Sequence, residues 1–244
     1  MNPQNKDKIA YCHYTLNPID CKCRHGCPYC YVKNIRHVVQ CIEPVLKENK
    51  LDEPGLVKTS KVIFVGNMTD IFGSWVPSRM IERVIDMTVK FPQHTYIFMT
   101  KNPRRYSEFY FPDNAILGTT IDYPDKVGAE RIGDIYHAAC KSAGSLMVHR
   151  NRPLTMVSFE PLLGDPTGLD LTEVDWIVIG QCNHENEFKY RTDPRWVEYL
   201  IDEAHHGRGN IPVFVKKPLY SSYPIQELPI GKEFDSLRPR NVAK

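Results

Sequence analysis

Short runs of apolar and β-branched residues alternate along this chain with longer segments in which apolar residues recur at helical spacing. Continuous apolar runs of this length are typical of strands that are buried on both faces of a parallel sheet. The pattern predicts seven such strands, at residues 9–16, 61–66, 95–99, 115–118, 154–157, 175–179 and 211–215.

Amphipathic segments between these runs predict helices at 78–90, 129–143 and 193–205. Ser78 is a candidate N-cap for the first helix, and Asp193 followed by proline is typical of a helix start. The alternation of strand and helix predicts a parallel sheet with right-handed crossovers. We therefore expect an α/β fold, an incomplete or small barrel of seven strands. An open doubly wound sheet is the alternative.

A single domain over residues 1–244 is expected, because no linker, internal repeat or low-complexity run interrupts the pattern. Two segments stand out within it. One is a cysteine-rich loop at 21–31, and the other is a proline-containing C-terminal extension at 220–244.

Composition narrows the class of protein. Charged residues make up 25% of the chain and the net charge is only +2, whereas a dedicated nucleic-acid binder usually carries a strongly basic domain. The apolar runs are far shorter than the ~18–20 residues that span a bilayer, and the polar N-terminus lacks the apolar core of a signal peptide. We expect a cytoplasmic protein with reduced thiols, a small-molecule substrate, and neither a membrane nor a nucleic acid as partner.

Four of the eight cysteines crowd into residues 21–30. In a reducing compartment such crowding indicates a metal or a cluster. Cys23, Cys27 and Cys30 have the spacing C-x3-C-x2-C, so their thiolates can reach three irons of one 4Fe-4S cluster and leave the fourth iron open. Cys21 competes with Cys23 as the first ligand, although the spacing favours Cys23. A zinc knuckle made from all four cysteines is the alternative.

Functional side chains follow nearly every predicted strand. Because the carboxyl ends of parallel strands meet at one edge, where barrel enzymes hold their active sites, we expect these side chains to line a shared pocket. The residues concerned are Asp70, Thr100, Lys101, Thr120, Glu160, Gln181 and Lys216.

The cysteine loop resembles the signature of the radical S-adenosylmethionine superfamily, C-x3-C-x-aromatic-C, with Tyr29 as the aromatic residue. This resemblance implies a partial TIM-like barrel of the (β/α)6 type, here with one additional strand, that carries a 4Fe-4S cluster on Cys23, Cys27 and Cys30 and binds S-adenosyl-L-methionine. The segment after the second predicted strand lacks the second glycine and the acid that are usual in the superfamily. The residues implied to bind the cofactor are Tyr29, Gly66, Asn67, Met68, Thr100, Ser158 and Glu160.

A narrower resemblance covers most of the chain. The segments 16–18, 64–72, 99–103, 158–163 and 213–216 are similar to a phage-associated subfamily of radical enzymes of unknown function. That subfamily includes queuine lyases, which release the base queuine from queuosine 5′-phosphate in queuosine salvage. The resemblance thus implies a radical lyase that cleaves an N-glycosidic bond and takes electrons from a donor such as flavodoxin or ferredoxin. Its catalytic residues are not assigned.

Binding of a nucleoside or nucleotide substrate is expected of the polar residues beside the cluster. Lysines there can bind a 5′-phosphate as point charges. Two other functions remain open, namely a radical enzyme that repairs or modifies DNA, tRNA or a protein, and a zinc-binding regulatory module without enzyme activity. The expected substrate-binding residues are Asn17, Asp70, Lys101, Thr120, Gln181 and Lys216.

Overall fold

A computed structural model of the chain describes residues 1–5, 8–35, 41–144, 152–182, 190–207, 209–229, 231, 234–235 and 237. Most of its described strands belong to one eight-stranded sheet, and two form a separate antiparallel ribbon. In chain order the strands are β1 (Asn2–Pro3), β2 (Tyr14–Leu16), β3 (Ile19–Asp20), β4 (Val45–Leu46), β5 (Val62–Val65), β6 (Thr95–Thr100), β7 (Ala115–Thr120), β8 (Leu154–Phe159), β9 (Trp176–Ile179) and β10 (Val213–Val215).

The large sheet has the order β1-β2-β5-β6-β7-β8-β9-β10. Only the β1–β2 pair is antiparallel, and every other neighbouring pair is parallel. The predicted α/β class with a mostly parallel sheet is therefore confirmed. The predicted barrel is not confirmed, because β1 and β10 stand at opposite ends of the described sheet and are not paired with each other.

Four α-helices are described besides short 3-10 helices, namely α1 (Glu48–Leu51), α2 (Ser78–Lys90), α3 (Lys126–Ser142) and α4 (Pro194–His206). The three longer helices lie close to the predicted segments, and α2 has the predicted bounds. Asp193 caps α4 as expected, since its side chain accepts a hydrogen bond from the Arg195 amide. Ser78 is not the N-cap of α2. Pro77 holds that position without a side-chain cap, and the Ser78 hydroxyl accepts a hydrogen bond from Arg105 instead.

The sheet is buried on both faces, which explains why its strands are continuously apolar. One face packs against the helices, and its side chains alternate along each strand with those of the other face. The other face is covered by residues before β2 and after β10, such as Tyr11, Leu228 and Phe234. Among the described residues, no helix is long and apolar enough to cross a membrane.

Tyr11 shows that the sheet is strongly curved. Its ring contacts Phe64 on β5 and, with centroids 5.5 Å apart, both Trp176 on β9 and Phe214 on β10. Strands far apart in the sheet therefore approach one another around one ring. The predicted strand at 9–16 is wrong before Tyr14, because the chain turns at Ile9, where the Cys12 amide donates to the Ile9 carbonyl.

The C-terminal extension continues the sheet for a few residues. After β10 the chain reverses, and Gln226 pairs with Phe214 in an antiparallel bridge. The hydrogen bonds from Val215 to Ile225 and from Glu227 to Val213 flank this bridge. Much of the predicted extension at 220–244 lies outside the described residues.

An aromatic cluster fixes the chain that leaves β5. The ring of Phe72 is fully buried and lies 4.5 Å from the Tyr106 ring and 5.7 Å from the Phe98 ring, centroid to centroid. Edge-to-face packing of this kind adds to the gain from burial. Phe72 therefore holds the segment after β5 against β6.

We expect Phe72→Ala to lower the free energy of unfolding by about 3–5 kcal/mol, because it leaves a cavity at the centre of this cluster. Urea unfolding followed by circular dichroism measures the change. Tyr110→Ala is the matched control, since that ring is 68% exposed, and it should cost less than about 1 kcal/mol. Equal losses in the two variants would contradict the assigned packing.

Candidate active site

The cysteine loop lies at the carboxyl ends of the parallel strands. It begins directly after β3, which follows β2 by two residues. The β3–β4 ribbon supports its base, where the Lys22 amide donates to the Cys41 carbonyl at 2.6 Å. Contacts described below join the loop to the residues that follow β5, β6 and β7. The loop and these strand ends thus lie together at one edge of the sheet.

Three of the loop cysteines differ from the fourth. Cys23, Cys27 and Cys30 are partly exposed, free thiols. Cys21 is fully buried, and its sulfur accepts a hydrogen bond from the Trp75 indole at 3.3 Å and lies 3.2 Å from the Thr69 hydroxyl. Cys21 is therefore part of the core, whereas the three thiols with the C-x3-C-x2-C spacing remain accessible to solvent.

The environment of Cys23 disfavours a bare negative charge. Burial raises the pKa of the Cys23 thiol to about 11, and the nearby Asp70 and Cys27 add to the shift against two backbone amides that lower it. Metal ligation requires the thiolate. A positively charged group at this position would therefore displace the proton of the Cys23 thiol, because its charge offsets the cost of burying the thiolate.

Asp70 joins the loop to the sheet. One oxygen of its carboxylate accepts hydrogen bonds from the Thr100 hydroxyl at 2.8 Å and the Lys101 amide at 2.9 Å, and lies 2.7 Å from His25 Nε2. The other oxygen accepts from the Phe72 amide at 2.9 Å. Through these contacts Asp70 docks the cysteine loop onto the sheet. The expected role in substrate binding would require it to exchange one of these partners.

A second network crosses the site from Tyr29 to β7. The Tyr29 hydroxyl donates to Asp122 at 2.6 Å and accepts from the Lys101 ammonium at 2.7 Å. Lys101 also lies 2.8 Å from the Asp122 carboxylate, and Arg131 lies 3.9 Å from it. Burial and then the Asp122 hydrogen bond raise the pKa of Tyr29 far above its ordinary value.

Asp122 remains ionised within this network. Its burial alone would raise the pKa, but the charge and hydrogen bond of Lys101, together with the Tyr29 hydroxyl, hold the pKa of Asp122 below its ordinary value. The network therefore pairs an anion and a cation beneath the Tyr29 ring, and the Lys101 ammonium lies 5.5 Å from that ring's centroid.

The segment after β5 forms a tight turn beside the loop. Gly66 has φ of +79°, and a Cβ there would lie 2.8 Å from an Ile71 methyl carbon, so only glycine fits. The Asn17 side chain holds the turn from β2, since its amide donates to Asn67 Oδ1 at 2.9 Å and its oxygen accepts from the Met68 amide at 3.2 Å.

Glu160 and Lys216 form an ion pair at the other side of the strand ends. Both side chains are largely buried, and the Lys216 ammonium lies 5.9 Å from the centre of the Tyr11 ring. Burial and then the charge of Glu160 raise the pKa of Tyr11. The pair thus lies beside Tyr11, which packs on the curved face of the sheet.

The remaining predicted residues lie on or directly after the central strands. Ser158 is buried in β8, and Thr120 is its partner in β7. Gln181 is the second residue after β9. These three residues share the edge of the sheet with the networks above.

Two important residues were missed by sequence reasoning. Asp122 follows β7 at the same edge as the chosen residues, so its position was a signal that could have identified it. Trp75 gave no such signal, because its contacts with Cys21 and with His25, at 5.0 Å between ring centroids, join segments about 50 residues apart.

The thiols of the cysteine loop are the type of donor that an iron–sulfur cluster takes. Among the described residues, no three His, Cys, Asp or Glu side chains lie close enough together to hold one metal ion. In a cubane each thiolate binds its own iron, so the sulfurs sit farther apart than around one zinc. The loop offers three partly exposed thiols, and Gly26 has a positive φ with open space where a Cβ would be. Cys23, Cys27 and Cys30 would hold the cluster.

We expect Asp70→Asn to lower the free energy of unfolding by about 1–3 kcal/mol, because the amide group leaves a buried donor without an acceptor. Amide hydrogen exchange in residues 23–30 should accelerate more than exchange in α3, since the loop loses its anchor. Asp113→Asn, a change at an exposed carboxylate, is the control and should leave both measurements unchanged. Unaltered loop exchange in Asp70→Asn would contradict the docking role.

Comparison with known proteins connects this site to a family. No curated protein matches the chain, and no solved structure matches it. Residues 6–218, which include the whole cysteine loop and every predicted site residue, match a family described as protein of unknown function DUF5131. Because the match covers most of the chain, the protein belongs to the DUF5131 family.

Proposed function

We propose that this protein is a radical S-adenosyl-L-methionine enzyme that carries a 4Fe-4S cluster on Cys23, Cys27 and Cys30. The observation that supports the proposal best is the division among the loop cysteines. Three thiols of the loop are partly exposed, while the fourth is held in the core by Trp75 and Thr69. Three available ligands leave one iron of a cubane open for a substrate-like ligand.

When bound, such a cluster supplies the electron that cleaves S-adenosyl-L-methionine and so generates a radical able to abstract a hydrogen atom from a substrate. The protein's own residues bind and orient S-adenosyl-L-methionine and the substrate. The turn at Gly66, Asn67 and Met68 places backbone amides and carbonyls beside the loop, and Asn17 holds that turn in place. This arrangement suits the amino and carboxylate groups of the methionine portion.

Other residues of the site suit the nucleoside portion of the cofactor. Tyr29 is fixed by Asp122 and Lys101, so its ring has one orientation in which a base can stack. Glu160 offers a carboxylate to ribose hydroxyl groups, and Ser158 lies two residues before it. Thr100 acts indirectly, because its hydroxyl is already bonded to Asp70.

We propose a nucleotide as the substrate, and specifically queuosine 5′-phosphate, from which the enzyme releases queuine. Two cations of the site can meet a phosphate, namely Lys101 and Lys216. Each is paired with a carboxylate in this structure, Lys101 with Asp122 and Lys216 with Glu160. A phosphate would therefore bind by exchanging with one of these carboxylates. Thr120 and Gln181 lie at the same edge, where polar groups can meet the base.

The choice of queuosine 5′-phosphate rests on the similarity of five segments to the radical subfamily described above. The low net charge of +2 agrees with a small substrate rather than a long polyanion. Flavodoxin or ferredoxin is the proposed class of electron donor.

Iron content tests the assignment of the ligands. After anaerobic reconstitution we expect about four irons and four sulfides per chain. Cys23→Ser, Cys27→Ser and Cys30→Ser should each lose most of this iron. Cys21→Ser is the matched control, and it should retain iron because Cys21 lies in the core. About one zinc per chain in place of iron, or loss of iron in Cys21→Ser alone, would contradict the assignment.

Turnover tests the proposed reaction. With dithionite, S-adenosyl-L-methionine and queuosine 5′-phosphate, we expect 5′-deoxyadenosine and free queuine by liquid chromatography and mass spectrometry. Lys216→Ala should raise the KM for this substrate, and Lys58→Ala, a change at an exposed lysine, should not. Failure of the reconstituted four-iron protein to form 5′-deoxyadenosine would refute the radical chemistry. Formation of 5′-deoxyadenosine without queuine release would refute only the substrate.

A further inference from the structure

The cysteine loop carries a surplus of positive charge. Residues 21–33 include Lys22, Arg24 and Lys33 and contain no Asp or Glu, although the net charge of the whole chain is only +2. All three cationic side chains are exposed. Positive charge is therefore concentrated on the segment that bears the three partly exposed thiols.

The side chains of the loop divide between the interior and solvent. Cys21 is fully buried, and His25 meets the buried Asp70 carboxylate. Lys22 and Arg24 alternate with these two inward residues along the chain, and both are exposed. Because the inward residues hold the loop against the sheet, the two cations remain at its outer surface.

The β3–β4 ribbon extends this outer surface with apolar side chains. Ile42 is 63% exposed and Val45 is 51% exposed. The Arg24 guanidinium donates to the Ile42 carbonyl at 3.4 Å, and Val45 pairs with Asp20, the residue before the loop. Exposed apolar side chains rimmed by charged groups are typical of a protein contact. We call this the loop–ribbon surface, formed by Lys22, Arg24, Lys33, Ile42 and Val45.

The carboxylates near this surface do not cancel its positive charge. Glu43 lies 3.7 Å from Arg24, and Asp20 is paired with Lys47. Ion pairs at the surface contribute little to stability, so their partners are available for exchange. Within the part of the chain that the structure describes, no carboxylate is paired with Lys22. Lys22 therefore presents its charge directly to an approaching protein.

The proposed cluster must receive an electron from outside the protein, and the loop that would hold it lies behind this surface. Complexes of electron carriers are small and transient, so a few exposed apolar side chains suffice where a permanent partner would need a larger patch. A cationic surface speeds association with an acidic partner and selects against a basic one.

We infer that the loop–ribbon surface is the docking site of a small acidic protein that carries one electron at a time. Lys22 and Arg24 meet carboxylates of the carrier, while Ile42 and Val45 pack against its apolar side chains. The carrier's reduced cofactor loses the electron that the 4Fe-4S cluster gains, and no covalent bond forms or breaks. The inference rests on the proposed function, because a protein without a cluster at the loop would need no such carrier.

Binding of an acidic flavodoxin to the iron-reconstituted protein tests the docking surface, with biolayer interferometry at low and at physiological salt. Lys22→Glu and Ile42→Asp should each weaken binding at low salt about tenfold, since each places a carboxylate against an acidic partner. Lys58→Glu and Leu56→Asp make the same changes at exposed positions outside the surface, and both should bind as the unmodified protein does. Binding to the unmodified protein should weaken as salt rises.

Stopped-flow absorbance of the cluster measures the electron transfer itself. At low salt, reduced flavodoxin should reduce the cluster about tenfold more slowly in Lys22→Glu than in Lys58→Glu, and added salt should narrow the difference. Dithionite is a small reductant that needs no docking surface, so it should reduce both variants to the same extent. Equal iron content in the two variants establishes that the slower transfer is not a loss of cluster.

The outcomes separate the docking surface from the radical proposal. If dithionite reduces the cluster but flavodoxin binds and reduces Lys22→Glu as well as Lys58→Glu, the inference is overturned and the proposed function stands. The same conclusion follows if flavodoxin does not bind the unmodified protein at low salt. A reconstituted protein without a reducible cluster would refute the proposed function, and the inference with it.

Discussion

The Asp70 carboxylate is the junction on which the arrangement of the site depends. It accepts three donors from the sheet side, namely the Phe72 and Lys101 amides and the Thr100 hydroxyl, and meets His25 of the cysteine loop. A buried carboxylate is stable only when donors satisfy it. Here the same hydrogen bonds that satisfy it also fix the loop relative to β6. The buried acid thus anchors the cysteine loop to the sheet at His25.

The strands could be predicted from the sequence because both faces of the sheet are buried. Strand β5 is an example, because its residues are all apolar and all buried, namely Val62, Ile63, Phe64 and Val65. A continuous apolar run of this kind predicts a strand that is buried on both faces. Helix α2 was predictable for the corresponding reason, its one-sided burial. The segment before Tyr14 was not, because Tyr11 and Cys12 are equally apolar but pack across the curved face. The local pattern of apolar residues indicates that a segment is buried, but it does not distinguish a strand from a buried turn.

The candidate site likewise has features that the sequence predicts and features that it does not. The grouping of Cys23, Cys27 and Cys30 could be read from their short-range spacing, and the polar residues that follow the strands could be read from the strand pattern. The roles of Asp70, Thr100 and Lys101 came only with the structure, since each depends on a partner from a distant segment. Lys101 and Lys216 illustrate the difference, because the sequence presents two free cations and the fold gives each a carboxylate. Whether the barrel closes was also beyond the sequence, since closure depends on the edges of β1 and β10.

The fluorescence of Trp75 can report on the position of the cysteine loop. Its indole touches both the buried sulfur of Cys21 and the imidazole of His25, so it senses the core and the loop simultaneously. The other two tryptophans, Trp176 and Trp196, lie on β9 and α4. In a protein that retained only Trp75, the emission of a single chromophore would follow the arrival or departure of the loop at the sheet edge in real time.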